Sequence, residues 1–294
     1  MNINDFTAHF PPTLTEAILI RGTHDLQEIR IMAEKNCYIQ KNGKLYDTGI
    51  FISEKALSLI VESMSKGSLY AMQTSLTKGY ITLKGGHRVG ICGKVVTEKG
   101  KITHVTDISA LCIRIAREVI GAADEILGFI ECDERLYNTL IISPPGCGKT
   151  TVLRDIARKL GEKYKVCIAD ERSEIAACKG SRTAFDVGKL TCVMDAVPKG
   201  EGIMMLLRTM APEVIITDES NSYEEEKAIA EIINCGVKII TSAHGYSEKD
   251  ILKRRHLGPL VREGIFEKVI ILSSRKKTAT VEKIISDGRV MQRV

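Results

Sequence analysis

The chain has 294 residues, 44% of them hydrophobic, which suits two domains or one large one. Forty-two basic against 37 acidic side chains leave a net charge of +5, too small an excess to argue nucleic-acid binding, and 5% aromatics with no tryptophan leave little for a base-stacking platform. Nine cysteines without a C-x-x-C pair read as reduced, mostly buried thiols of a cytosolic protein, and with no signal peptide and no apolar run of about 18 residues the chain is expected not to span a membrane by itself.

In chain order, residues 13–21 follow Pro11-Pro12 as a short helix. Residues 26–32 (LQEIRIM) alternate apolar and polar side chains, the strand pattern, and Asn42-Gly43 joins strands at 37–39 and 44–47 in a hairpin. Ser53 caps a helix over 53–65 whose apolar face is Ala56, Leu57, Ile60, Val61 and Met64, and a second helix is expected over 69–76. Residues 80–96 form two strands around Gly85-Gly86. A turn at 98–101 leads into a strand at 102–105, and 111–117 (LCIRIAR) is a further strand with Arg114 and Arg117 off its apolar face. His87 and Arg88 either meet a ligand or a neighbouring subunit or sit on an exposed turn. The two strand arginines either are solvated or recognise phosphate across an interface. This is a small α+β domain, residues 1–121, without a catalytic motif of its own.

A helix around 122–130 opens the second domain, residues 122–294. Its central stretch, NTLIISPPGCGKTTVLRDIARK at 138–159, is an apolar strand, a Pro/Gly turn and an amphipathic helix: the layout of a P-loop. Gly146 and Gly148 permit backbone conformations that turn successive N–H groups onto an anion. Lys149 supplies a charge for β- and γ-phosphates, and the Thr150 hydroxyl a ligand for Mg²⁺. Ser143, Pro144, Pro145, Cys147 and Thr151 complete the cradle. Ser143 stands where the usual pattern has its first glycine, and the prolines stiffen the turn. Cys147 fills a variable position or is sensitive to oxidation.

Strands and helices then alternate, predicting a parallel sheet with ligands at its C-terminal edge. A strand at 164–169 ends in Asp170-Glu171-Arg172, which serve the site or cap the following segment. A strand at 214–217 delivers Asp218 and Glu219, a Walker B pattern in which Asp218 holds the metal and Glu219 orients or deprotonates water. A helix at 224–234 and a strand at 237–241 lead to His244, placed as a γ-phosphate sensor. Strands at 266–272 and 278–285 follow, joined by a solvated basic loop at 275–277 and closed by an Asp287-Gly288 turn.

With these motifs placed, the chain resembles the stage III sporulation protein AA family of endospore-forming bacteria, itself similar to type II/IV secretion and pilus ATPases. The resemblance covers nearly the whole chain. It is carried by EIRI at 28–31, GGHRVGICG at 85–93, IRIARE at 113–118, SPPGCGKTT at 143–151, ADERSEIA at 169–176, KGEGIMMLLRTMAPEVIITDE at 199–219 and CGVKIITSAHG at 235–245.

It implies an α/β fold with a RecA-like P-loop NTPase core, ATP as the nucleotide, and a ring-shaped homo-oligomer, a hexamer. It also implies a mother-cell location, peripheral to the forespore-facing membrane, with a membrane protein of a secretion-like channel as partner. By the same likeness Asp170 and Glu171 fall in an acidic box, Arg208 in the segment before Walker B, and His244 in a histidine box. The chain departs from the pattern at Ser220-Asn221-Ser222, where Ile-Gly and often a nearby arginine are expected, and at Lys268, where a later motif has arginine. The expected activity is Mg²⁺-dependent ATP hydrolysis that energises or assembles the channel. The alternatives are an ATP-binding structural ring with little turnover and a RecA-like nucleic-acid motor.

Overall fold

The computed structural model describes residues 4–65, 80–98, 100–116, 118–178, 181–219, 222–273, 275, 279–286 and 289–293. The helix expected at 69–76, Arg117, Ser220-Asn221, Lys276-Lys277 and the Asp287-Gly288 turn lie outside these residues. The chain divides into two compact units, residues 1–117 and 118–294.

In the first unit, α1 (Asn4–Thr7) and α2 (Pro12–Ile20) precede β1 (Leu26–Met32), β2 (Lys35–Lys41) and β3 (Lys44–Ile52); α3 (Glu54–Ser65) is followed by β4 (Tyr80–Thr82), β5 (Arg88–Glu98) and β6 (Lys101–Arg114). The strands form one antiparallel sheet of order β3-β2-β1-β6-β5-β4. Ser53 caps α3 as expected, its hydroxyl accepting the Ala56 N–H. The core gathers Leu14 and Ile18 from α2, Leu57 and Ile60 from α3, and Leu26, Ile29 and Ile31 from β1. A bulge between Leu26 and Glu28 shifts the phase of the alternation, so that 26, 29 and 31 share one face.

Two expectations change here. The stretch expected as a strand at 102–105 and residues 111–114 of the one expected at 111–117 belong to one long strand, β6, which ends at Arg114. It stays paired with β5 through a register shift at Cys92/Lys94, where Gly93 lies so close to the partner that a Cβ would stand 2.5 Å from the Thr106 carbonyl oxygen. His87 is on no exposed turn: it is buried, with the Phe6 ring edge-on to it at 4.9 Å and its Nδ1 accepting the Ala116 N–H at 3.1 Å. Arg88 lies over the Tyr80 ring, 3.8 Å from its centroid.

The second unit opens with α4 (Asp124–Ile130) and a small ribbon of β7 (Glu131–Cys132) and β8 (Arg135–Leu136). Then come β9 (Thr139–Ser143), α5 (Lys149–Leu160), β10 (Val166–Asp170), β11 (Thr191–Asp195), α6 (Lys199–Thr209), β12 (Val214–Thr217), α7 (Tyr223–Asn234) and β13 (Lys238–His244). The unit closes with α8 (Glu248–Leu252), α9 (Leu257–Arg262), β14 (Lys268–Ser273), β15 (Thr280–Ser286) and β16 (Arg289–Arg293). The large sheet runs β11-β10-β12-β13-β9-β14-β15-β16. Its first six strands are parallel; β15 and β16 return antiparallel, so the sheet is mixed rather than wholly parallel.

Both faces of the parallel part are covered, which is why these strands read as continuous apolar runs. Ile141, Ile168, Ile216 and Ile240 meet α4 and α5 on one side. Leu140, Cys167, Ile215 and Ile239 meet α6, α7, α8 and α9 on the other. Each such side chain contributes on the order of 1.5–3 kcal/mol by leaving water. The apolar stripe of the P-loop helix (Val152, Leu153, Ile156, Ala157 and Leu160) is buried as its spacing predicts.

Candidate active site

Register brings the motif residues together. Ser143, the last residue of β9, is the Cα partner of His244, the last residue of β13; Asp170 ends β10 and Asp218 directly follows β12. All four lie at the C-terminal edge of the sheet, where a parallel arrangement concentrates backbone amides and ligand sites.

The P-loop turns through residues 144–148. Gly146 and Gly148 have φ of 74° and 90°, and Gly148 is the left-handed N-cap of α5. A Cβ built on Gly146 would meet nothing within 4 Å, so the loop faces open space that a phosphate can fill. Ser143 is buried and bonds within the turn, its hydroxyl donating to the Pro144 carbonyl and its own carbonyl accepting the Gly245 N–H. Cys147 is buried, and its carbonyl accepts the Ala279 N–H at 2.9 Å. Thr150 and Thr151 stand half-buried on the first turn of α5.

Across the loop runs a chain of charges. Lys149 Nζ donates to His244 Nδ1 at 2.8 Å, and His244 Nε2 contacts Glu219 Oε1. An ammonium only donates and a carboxylate only accepts, so one tautomer, with the proton on Nε2, satisfies both contacts. Burial pulls the Lys149 ammonium below its ordinary value, opposed by nearby Glu219. Glu219 has φ of 32°, its N–H donates to Ser242 Oγ at 3.2 Å, and its second carboxylate oxygen lies 4.0 Å from Arg172. Arg254 donates to the His244 carbonyl.

Asp218 is buried beside Lys199, the first residue of α6: Nζ to Oδ1 is 3.1 Å, yet Oδ1 completes no hydrogen bond. Lys199 also donates to the Glu219 carbonyl at 3.0 Å. Among the described residues no group of three or more His, Cys, Asp or Glu side chains could hold a metal ion by itself. One buried carboxylate oxygen with spare acceptor capacity and one hydroxyl, Thr150, nevertheless fit Mg²⁺, which habitually takes few protein ligands and completes its shell with phosphate and water.

Glu171, Arg172, Glu219, His244 and Lys199 line one cleft. Asp170 does not reach it. It is fully buried and anchors the segment that follows, accepting the N–H groups of Glu174, Ile175 and Ala176 at 2.8–2.9 Å. Its burial pushes its carboxyl up to about 6, against those hydrogen bonds. Arg154 of α5 holds the same segment, donating to the carbonyls of Ile175 and Glu174 at 2.6 Å each and lying 3.8 Å over the Phe185 ring.

The structure therefore gathers Lys149, Asp218, Glu219, Glu171 and His244, and leaves Arg208 exposed in the last turn of α6, away from them. Lys268, at the start of β14, bonds to Ser286 and lies 4.2 Å over the Tyr137 ring at the opposite edge of the sheet. Lys199, Ser242, Arg254 and Arg154 escaped sequence reasoning. None carried a signal of its own in the sequence; only once the helix is placed does a lysine at its first position, opposing the helix dipole, call for an anionic partner.

The family described as sporulation stage III, protein AA, matches residues 15–291. Stage III sporulation protein AA of Bacillus subtilis (strain 168) is 40% identical over 276 residues, covering 92% of this chain and 90% of that protein. Among solved structures, the chain is similar to the Legionella pneumophila ATPase DotB (TM-score 0.59, 16% identity, 93% of this chain and 79% of that one). It is also similar to the pilus retraction motor PilT solved with bound ADP (TM-score 0.63, 14% identity, 92% and 82%). At such identities the likeness speaks for fold: an α/β, P-loop ATPase-like architecture with a mixed sheet.

Proposed function

The chain belongs to the stage III sporulation protein AA family, and from that premise and its site we propose that it is a Mg²⁺-dependent ATP hydrolase that energises or assembles a secretion-like channel during sporulation. The observation that carries the reading is the Lys149–His244–Glu219 chain beside buried Asp218, all on one edge with the P-loop. The loop amides and Lys149 would hold the β- and γ-phosphates; Thr150 and Asp218 would hold the metal. Bound Mg²⁺ would supply charge neutralisation between the phosphates.

Glu219 or Glu171 would orient water, and His244 would report the γ-phosphate to Glu219 by exchanging its contact with Lys149. The base would rest in the pocket beside α5 lined by Val119, Ile120, Ala122, Thr151 and Ala279, where the exposed Val119 and Ile120 side chains suit a ring face. The core would be RecA-like, in a ring of copies, a hexamer, with exposed Arg208 free to serve a neighbouring subunit's site. The channel's membrane protein would be a second partner at the forespore-facing membrane on the mother-cell side. Among the described residues no helix is long and apolar enough to cross a membrane.

The test is Mg-ATP hydrolysis by the wild-type chain, Lys149→Ala and Glu219→Gln, with mass in solution recorded in parallel. Turnover that rises with oligomer size and disappears in both variants is the expected result. ATP binding without turnover in a confirmed oligomer would overturn the motor in favour of an ATP-gated scaffold.

A further inference from the structure

We propose that Lys199 is a built-in counter-ion for the Walker B carboxylate, holding Asp218 and Glu219 while no metal is bound and competing with the metal for Asp218. This rests on the reading of Asp218 as a metal-holding residue.

Lys199 is in an expensive place. It is 5% exposed and stands first in α6, where the helix dipole disfavours a cation and burial disfavours any unpaired charge. Its compensation is local: Asp218 Oδ1 at 3.1 Å and the Glu219 carbonyl oxygen at 3.0 Å. Those two contacts tie the residue expected to hold the metal to the residue expected to orient water.

The backbone around Lys199 is fixed. A Cβ on Gly200 would stand 2.9 Å from the Glu224 Cβ and 3.0 Å from its backbone, and one on Gly202 would stand 2.5 Å from Val197. The start of α6 is thus wedged against α7 and the preceding turn. What can move is the four-carbon stem of Lys199, which ends in a point charge with rotatable donors. The contact with Asp218 is an ion pair without hydrogen-bond geometry, so it can be exchanged at lower cost than a well-formed charged hydrogen bond. Glu171 lines the same cleft and offers the displaced ammonium another carboxylate. A divalent ion arriving at Asp218 would therefore exchange with a cation already present, and its measured affinity is the difference between the two.

The test titrates a fluorescent N-methylanthraniloyl-ADP into the full-length chain, once in Mg²⁺ and once in EDTA, for wild type and Lys199→Met. Thermal melting is recorded in EDTA and with Mg-ADP. Wild type is expected to bind more tightly with Mg²⁺. In Lys199→Met that advantage is expected to grow about tenfold, within the usual range of coupling between two sites. The variant should also melt below wild type in EDTA and recover with Mg-ADP. An unchanged Mg²⁺ advantage in a folded variant would overturn the proposal alone; no Mg²⁺ dependence in wild type would overturn both it and the metal reading. If Lys199→Met does not fold, Lys199→Met/Asp218→Asn decides: restored folding supports the charge pairing, and a double variant as unstable as the single one overturns it.

Discussion

Acid should weaken the first unit through His87. The ring is 1% exposed, its Nδ1 is committed to the Ala116 N–H, its Nε2 completes no hydrogen bond, and burial pushes its pKa from 6.5 down to about 4. A histidine whose folded pKa is lowered stays neutral in the fold while the unfolded chain takes up a proton. The stability it permits is thus whole above pH 6.5 and is lost as pH falls toward 4. Over that window the shift amounts to roughly 3 kcal/mol, with about 2.5 kcal/mol gone by pH 4.5. Asp5 opposes the shift, so the slope belongs to the ring in this setting.

The assay is native-state hydrogen exchange of β1 and β5 peptides in the full-length chain, from pH 7 to 4.5 and corrected for intrinsic exchange, in wild type and His87→Asn. Asparagine keeps an acceptor near Nδ1 but does not titrate. Wild type should lose protection steeply below pH 6.5, and the variant, weaker at neutral pH, should run nearly flat. Equal slopes in the two proteins would refute the reasoning.

Two further outcomes follow from the second unit and the cysteines. Asp170→Asn places an amide group against backbone N–H donors, losing one or two charge-assisted bonds of about 1.5–3 kcal/mol each. It also removes a buried charge whose raised pKa, about 6 against 3.8, marks a net cost of roughly 3 kcal/mol that is present above pH 6 and relieved as pH falls toward 3.8. That figure already includes the hydrogen bonds, so melting at pH 7 should hold or rise while amides 174–176 exchange about tenfold faster or more; a large loss of global stability with the loop still protected would contradict this account. Against the expectation of mostly buried thiols, Cys92, Cys132, Cys192 and Cys235 are exposed, and in thiol titration of the native chain they should react fast. Cys147, buried in the P-loop, should react only on unfolding, as should Cys37, whose burial pushes its thiol up to about 12. Fast labelling of Cys147 would show the P-loop opening.

The glycine turn between β9 and α5, the β12 strand that delivers Asp218, and His244 were legible because each couples an apolar run to polar residues at its end, and parallel strands align such ends. Less visible were elements whose periodicity is interrupted. Helix α6 contains Gly200 and Gly202, poor helix formers retained because a neighbouring backbone or side chain leaves no room for a Cβ, and this hid a helix inside KGEGIMMLLRT. Strand β11 is a five-residue edge with mixed burial. The bulge at Gly93 split β6 into two apparent strands. His87 defeated composition altogether: the Gly85-Gly86 turn promised exposure, whereas Phe6, about eighty residues away in sequence, closes over the ring.

The cations of the site are already matched. Lys149 meets His244 and, through it, Glu219; Arg172 approaches the same carboxylate; Lys199 meets Asp218. A phosphate entering the loop therefore does not find a bare positive cradle. On the proposed function it would have to take Lys149 from His244, and the free energy it gained would be the new contact less the old one. Under the proposed function the same exchange would free His244 from its lysine while Ser242 still holds the Glu219 backbone, so occupancy of the loop would be transmitted to Glu219 through one side chain rather than through a movement of the sheet. His244→Asn separates this from a purely structural role. Its side-chain oxygen stands near the Nδ1 position and can still accept from Lys149, but no atom remains at the Nε2 position to reach Glu219. Nucleotide affinity should then stay within a few fold while turnover falls by about a hundredfold, the lower range for loss of a positioned catalytic contact. Equal losses in affinity and turnover would show that His244 only supports the P-loop.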